Sequence, residues 1–178
     1  MRKAKLNRFD GLTDTINCYT VEEFDYINMP QITRRVRGKG KNKPAEYLID
    51  IATFDIETTT IKDPDPVGFM YHWQMCIMGV VVYGRTWQEW LDLIEKIVKW
   101  QNLSYDGKRL VVYVHNLEYE FQFMRLFLQE YFGGFQVFAS EARKPIYVAC
   151  YNGIEFRCSY KLSNMTLEKA VSNELGTI

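Results

Sequence analysis

An unbroken apolar run followed at once by an amphipathic helix constrains this fold more than any other feature. Residues 110–114 (LVVYV) are typical of a strand in the centre of a parallel sheet. Asn116 is a favoured helix N-cap and the pair Gly133-Gly134 is a typical stop, so the sequence predicts a helix from Asn116 to about Tyr131. A buried strand that leads directly into a helix indicates an α/β fold.

Further strands and helices predict a mixed sheet with helices on its faces. Thr86 and Glu89 form a capping box, and apolar residues at helical spacing follow it. A last helix is expected from about residue 166 to 174. The remaining strand-like runs are residues 69–77, 80–83, 135–138, 146–151 and 154–158.

Two carboxylates follow another apolar run. Residues 47–53 predict a buried strand, so Asp55 and Glu57 would lie near its C-terminal end. Residues two apart on a strand share a face, and paired carboxylates away from Cys or His suit Mg²⁺ or Mn²⁺. The alternative is a solvated strand end with threonine-rich turn chemistry.

A third carboxylate, Glu120, is expected one turn into the helix that begins at Asn116. Its position is beside the carboxyl end of the preceding strand, where open α/β sheets place their binding sites. Glu120 is therefore a candidate partner for Asp55 and Glu57.

Composition excludes several classes of protein. The chain has 22 basic and 22 acidic residues, so any nucleic-acid binding must come from local patches. No secretory leader or membrane-spanning stretch is visible, and the four cysteines lack metal-site spacing, which predicts buried thiols in a reducing compartment. Residues 34–43 hold six basic residues and no acid, so we expect a mobile basic arm that is either solvated or in contact with phosphates.

Three segments resemble motifs of bacteriophage protein-primed family B DNA polymerases. Residues 54–60 (FDIETTT) are similar to the first exonuclease motif of that family, and residues 113–123 (YVHNLEYEFQF) to the second. Residues 158–162, followed by 165–169, are similar to its single-strand-binding motif. The motifs occur in the family's order, and the resemblance covers about residues 47–178.

The resemblance implies a ribonuclease-H-like (DnaQ-like) 3′–5′ proofreading exonuclease domain in residues 47–178, preceded by an N-terminal extension, 1–46, with the basic arm. It implies that Asp55, Glu57 and Glu120 are catalytic ligands of two Mg²⁺ or Mn²⁺ ions. The residues expected to hold the 3′ end of single-stranded DNA are Thr58, Tyr113, His115, Asn116, Tyr119, Phe123, Ser159 and Tyr160. Ordinary helix packing is the alternative for Tyr119 and Phe123, and a backbone hydrogen bond is the alternative for His115.

The sequence departs from the family pattern in two places. Glu120 stands where the family has Asp, and no Asp follows Asp106, so the last exonuclease motif, Tyr and Asp four residues apart, is missing. We therefore expect a C-terminally incomplete fragment of a polymerase that binds single-stranded DNA and hydrolyses it slowly at most.

The expected partners are the 3′ end of single-stranded DNA, a terminal protein and the remainder of a polymerase. The expected location is the cytoplasm of an infected bacterial host, with neither secretion nor membrane contact. The alternatives are a catalytically inactive nuclease-like module that binds single-stranded DNA or a replication partner, and an unrelated intracellular α/β interaction domain.

Overall fold

The structure is a computed structural model that describes residues 2–5, 15–24, 33–36, 45–49, 52–62, 64–77, 79–142 and 144–175. Its strands are β1 Arg2–Lys5, β2 Thr15–Tyr19, β3 Thr33–Val36, β4 Ala45–Leu48, β5 Ala52–Ile61, β6 Val67–Ile77, β7 Val80–Gly84, β8 Lys108–Val114, β9 Phe135–Glu141, β10 Lys144–Cys150 and β11 Ile154–Cys158. Its helices are α1 Trp87–Gln101, α2 Leu117–Tyr131, α3 Ser159–Ser163 and α4 Leu167–Leu175.

The described strands form one mixed sheet in the order β1-β2-β7-β6-β5-β8-β11-β10-β9. β5 and β11 both pair with β8 in parallel, whereas β5–β6, β6–β7, β11–β10 and β10–β9 are antiparallel. β8 also pairs in parallel with β4, which pairs with β3. The predicted mixed sheet with β8 at its centre is confirmed.

The predicted single strand over residues 47–53 is wrong. β4 ends at Leu48, Ile49 is an exposed bend, and β5 begins at Ala52. β4 pairs with the start of β8, and β5 pairs with residues near its end. Asp55 and Glu57 consequently lie inside β5, which continues to Ile61, and not at the end of a strand.

α1 begins, and α2 begins and ends, close to where local sequence signals predict. The Thr86 side chain accepts a hydrogen bond from the Glu89 backbone N–H, and the Glu89 carboxylate accepts one from the Thr86 backbone N–H. Gly133 and Gly134, with φ of 71° and 103°, lie just past α2. Asn116 precedes α2 but makes no side-chain capping hydrogen bond, and the short helix α3 was not predicted.

The core lies between the sheet and the helices α1 and α2, which pack together on one face. The buried Trp90 ring of α1 lies 5.1 Å from Phe54 of β5, 6.3 Å from Phe156 of β11 and 5.5 Å from Phe132 just after α2, between ring centroids. We call the opposite side of the sheet the open face; it carries Asp55, Arg109, Tyr113, Tyr147, Glu155 and Arg157. The sequence predicted helices on the faces of the sheet, and α1 and α2 both lie on the same face.

The N-terminal segment contributes to the same sheet and core. β2 pairs with β7, and Val21 and Phe24 are buried in the main cluster. Thr33–Val36 pairs with β4 and is therefore not part of a mobile arm; residues 37–44 lie outside the described residues. These pairings cross residue 46, and the division into an extension, 1–46, and a domain, 47–178, stays a prediction.

Cys150 and Cys158 are buried, and none of the four cysteines is in a disulfide. Burial raises the pKa of the Cys150 thiol far above its usual range, which keeps it protonated and unreactive. In the described part of the chain, no helix has both the length and the apolar character that crossing a membrane requires.

Candidate active site

A cavity of about 700 Å³ opens at the carboxyl end of β8. Three parts of the chain meet there: the β5–β6 hairpin, the turn from β8 into α2, and the first residues of α3 and α4. Its lining residues are Thr53, Phe54, Asp55, Gln74, Tyr113, His115, Asn116, Glu120, Ser159 and Leu167. Six of these, Asp55, Tyr113, His115, Asn116, Glu120 and Ser159, were predicted as site residues from the sequence.

Asp55 reaches the cavity because of strand alternation. Phe54 and Ile56 are buried in the core, so Asp55 projects from the opposite side of β5. Gln74 stands directly across from Asp55 on β6, and its side-chain amide donates a hydrogen bond of 3.4 Å to the Asp55 carboxylate. This contact orients Asp55 towards the cavity.

Glu120 enters the cavity from the first turn of α2. Its side chain is buried, with 5% of the residue exposed, and its Oε2 atom has no hydrogen-bond partner among the described residues. Burial, and to a smaller extent the nearby charge of Asp55, raise the pKa of Glu120 from 4.5 to about 7. A buried, unpartnered carboxylate oxygen beside a second carboxylate is the arrangement that a bound cation stabilises.

Glu57 does not line the cavity. It is exposed, two residues beyond Asp55 on the same side of β5 and opposite His72 of β6. A register shift immediately after Glu57 changes the course of the hairpin there. Over the described ranges, no three His, Cys, Asp or Glu side chains are grouped so that they could hold a metal ion, and the three-carboxylate metal site stays a prediction.

The predicted strand-binding residues Tyr113, His115, Asn116 and Ser159 all line the cavity. The His115 Nδ1 atom lies 3.2 Å from the Ser159 hydroxyl oxygen, so the imidazole is oriented by a side chain and not by the backbone. Asn116 is exposed, and its amide makes no capping hydrogen bond, which leaves its donors and acceptor directed at ligands or water.

The other four predicted strand-binding residues, Thr58, Tyr119, Phe123 and Tyr160, do not line the cavity. The hydroxyl groups of Thr58 and Tyr119 are hydrogen-bonded to each other, and the Tyr119 ring lies 5.2 Å from that of Phe123. Tyr160 meets His115 edge to face at 5.9 Å between centroids. Tyr119 is 43% exposed, so its ring is available for stacking and is not simply part of the helix packing.

Sequence reasoning missed four residues that also line the cavity: Thr53, Phe54, Gln74 and Leu167. Gln74 is identified only by the pairing of β5 with β6, whose register depends on a loop and a bulge that carry no clear sequence signal. Leu167 was predicted near the start of the last helix, but nothing local indicates that this helix returns to β5.

Comparison with known proteins shows a shared fold. No protein-family model matches the sequence, and no curated protein matches it. A solved structure, "Phi29 DNA polymerase complexed with primer-template DNA and incoming nucleotide substrates (ternary complex)", matches with a TM-score of 0.55 at 12% sequence identity. The match covers 72% of this chain and 24% of that chain, so this chain corresponds to about a quarter of that protein's length. The described chain therefore has an α/β fold similar to part of a DNA polymerase.

Proposed function

We propose that this chain is the ribonuclease-H-like (DnaQ-like) 3′–5′ exonuclease part of a protein-primed DNA polymerase. The observation that carries the proposal is the buried Glu120 carboxylate, whose Oε2 atom has no partner among the described residues, in the cavity that Asp55 also lines at the carboxyl end of a central parallel strand. The similarity in fold to part of a DNA polymerase supports it. The proposed substrate is the 3′ end of single-stranded DNA in the cytoplasm of an infected bacterium.

The carboxylates would serve as ligands for Mg²⁺ or Mn²⁺. Asp55 and Glu120 supply oxygen donors from the cavity, and Glu57 supplies another from the same side of β5. Bound there, the two ions would activate the attacking water and stabilise the leaving 3′ oxygen.

The protonation state of Glu120 changes near neutral pH. With its pKa raised to about 7, this carboxyl group holds a proton at neutral pH for about half the time when no cation is present. A cation binds the carboxylate form of Glu120, so the protonated molecules must first release this proton to solvent. Cation affinity should rise with pH for this reason.

The polar and aromatic side chains would hold the frayed 3′ nucleotides. Tyr113 and Tyr119 offer ring faces for bases, which need no particular sequence. Asn116 and Ser159 offer an amide and a hydroxyl group for sugar and phosphate oxygens, and His115 orients the Ser159 hydroxyl. Thr58 and Phe123 contact Tyr119, and Tyr160 contacts His115.

Degradation of a 5′-labelled single-stranded oligonucleotide with Mg²⁺ or Mn²⁺ tests the proposal. We expect slow shortening from the 3′ end that chelation abolishes. Because Asp55→Asn and Glu120→Gln each remove a cation ligand, they should lower the rate by about two orders of magnitude or more. Glu118→Gln is the matched control, since Glu118 is on the first turn of α2 but does not line the cavity.

A chain that shows no 3′ shortening with either metal, or that shortens DNA equally well after both substitutions, contradicts the exonuclease proposal. In the first case a non-hydrolysing module that binds single-stranded DNA or a replication partner becomes the better candidate. That alternative is favoured by the absence of any Asp after Asp106, since the last exonuclease motif would supply one more carboxylate. Terminal protein and the remainder of a polymerase are the proposed partners of the active form.

A further inference from the structure

A row of aromatic and cationic side chains crosses the open face. Strand registers place Tyr113 of β8 beside Arg157 of β11, Arg157 beside Tyr147 of β10, and Tyr147 beside Phe138 of β9. Adjacent strands are about 4.8 Å apart, so the row extends about 14 Å from the sheet centre to β9 at its edge. We call these four residues the aromatic row.

The outer half of the aromatic row is exposed to solvent. Tyr147 is 38% exposed and Phe138 is 55% exposed, and their rings stack at 5.5 Å with an angle of 19° between planes. Almost every residue of β9 is exposed, so Phe138 does not belong to the core. A stacked aromatic pair on an open sheet is a surface on which planar groups can stack.

Glu155 holds Arg157 in place, and further N–H groups of Arg157 have no hydrogen-bond partner among the described residues. Its Nε atom donates to the buried Glu155 carboxylate at 2.7 Å, and its Nη2 atom lies 2.6 Å from the same oxygen. Arg109 lies 3.3 Å from the other Glu155 oxygen, so two guanidinium groups share one carboxylate and the cluster keeps a net positive charge. A fixed guanidinium with unused N–H groups suits a phosphate.

The aromatic row leads into the candidate active site. Thr53 of β5 is the next register neighbour after Tyr113, and both residues line the cavity that contains Asp55 and Glu120. Tyr113 and Arg157 also line a second depression of about 480 Å³ on the open face, into which Arg34 projects. The positive and aromatic surface is therefore continuous with the cavity.

We propose that the open face binds single-stranded DNA along the aromatic row, with bases on Phe138 and Tyr147 and a phosphate on Arg157. Aromatic faces combined with cationic groups are what sequence-independent single-strand binding requires, and the charge of the cluster is complementary to phosphate. The direction of the strand, with its 3′ end in the cavity, rests on the proposed exonuclease function. Binding to the row itself needs neither metal nor hydrolysis.

The test measures binding of fluorescent oligothymidylates of about 16 and about four nucleotides by anisotropy, with EDTA present to prevent hydrolysis. Phe138→Ala and Tyr147→Ala should each weaken binding of the long strand on the order of tenfold. Affinity for the short strand, which the cavity alone accommodates, should not change. Phe138→Leu keeps the apolar side chain but removes the aromatic face, and should show a similar loss.

Tyr131→Ala is the matched control, because Tyr131 is 55% exposed at the end of α2, on the covered side of the sheet. It should leave both affinities unchanged. Unchanged affinity of the Phe138 and Tyr147 variants for the long strand, or no binding of the long strand by the unaltered chain, overturns the proposal. Because EDTA is present throughout, failure of the exonuclease assay does not alter this result.

Discussion

At the scale of single residues, Glu120 accounts for most of the site's unusual chemistry. It is a buried acid with one oxygen that has no partner among the described residues, and it lines the same cavity as Asp55. Gln74 donates one long hydrogen bond to the Asp55 carboxylate, but it makes no hydrogen bond with the Glu120 Oε2 atom. The site consequently stores unfavourable free energy that a cation would remove.

The first prediction concerns the pH dependence of stability in metal-free protein. Because burial raises the pKa of Glu120 from 4.5 to about 7, the folded state holds a proton that the unfolded state has released between these values. The free energy of unfolding should therefore fall, by up to about 3 kcal/mol, as pH rises from 4.5 through 7. Urea unfolding in EDTA measures this fall.

Glu120→Gln should remove most of that pH dependence, whereas Glu130→Gln, at an exposed position on the same helix, should keep it. An equally steep fall in Glu120→Gln would mean that another group titrates.

The second prediction concerns Gln74. Gln74→Glu would place a further carboxylate opposite Asp55 in the same cavity. Since cation affinity rises with ligand charge, Mn²⁺ should bind roughly tenfold more tightly, as measured by electron paramagnetic resonance. Gln88→Glu, which adds the same charge on α1, should have little effect. Equal or weaker binding by Gln74→Glu would show that the cavity does not hold the cation.

At the scale of elements, the β5–β6–β7 meander depends on one close approach. Gly84 ends β7 beside Trp73 of β6, whose ring is fully buried and whose Nε1 atom donates to the Thr86 carbonyl at 2.9 Å. Because Gly84 has no side chain, the Trp73 indole can lie close to its backbone. The hydrogen bond from Trp73 to the Thr86 carbonyl also holds the start of α1 against the sheet.

The third prediction follows from this approach. A Cβ atom at residue 84 would lie 2.6 Å from the Trp73 ring, so Gly84→Ala should lower the free energy of unfolding by about 1 to 3 kcal/mol. Chemical denaturation followed by tryptophan fluorescence measures this change in the free energy of unfolding. Gly68→Ala is the control, because its Cβ would make an ordinary 3.6 Å contact with Phe123. A Gly84→Ala variant as stable as the control would show that Trp73 can move at little cost.

At the scale of the whole molecule, strands that precede the predicted domain boundary at residue 47 belong to the sheet. β2 extends the sheet beyond β7, β3 extends it beyond β4, and Val21 and Phe24 belong to the core. Residues before position 47, which lie outside the segment that resembles polymerase motifs, thus contribute buried apolar area to the core.

The fourth prediction is that a fragment of residues 45–178 is less stable than one of residues 15–178. It loses the burial of Val21 and Phe24, roughly 3 to 6 kcal/mol together, as well as the β2–β7 pairing. Thermal unfolding followed by circular dichroism compares the two. Equal melting temperatures would instead support an independent domain close to the predicted boundary at residue 47.

Local sequence determined the start of α1 and the bounds of α2. The Thr86–Glu89 capping box and the glycines after Tyr131 mark the bounds of α1 and α2, because capping and positive-φ preferences act within a few residues. Strand alternation likewise put Asp55 and Glu57 on one side of β5, since successive side chains point to opposite faces.

Only the tertiary structure decided what these elements bring together. The bend at Ile49, the pairing of Gln74 with Asp55, and the row from Tyr113 to Phe138 depend on strand register, and register is set by contacts between distant segments. The burial of Glu120 beside Asp55 was expected only in outline from the strand-to-helix order. Its unpartnered oxygen and raised pKa arise from the packing of α2 against the sheet, because burial is a property of the assembled core.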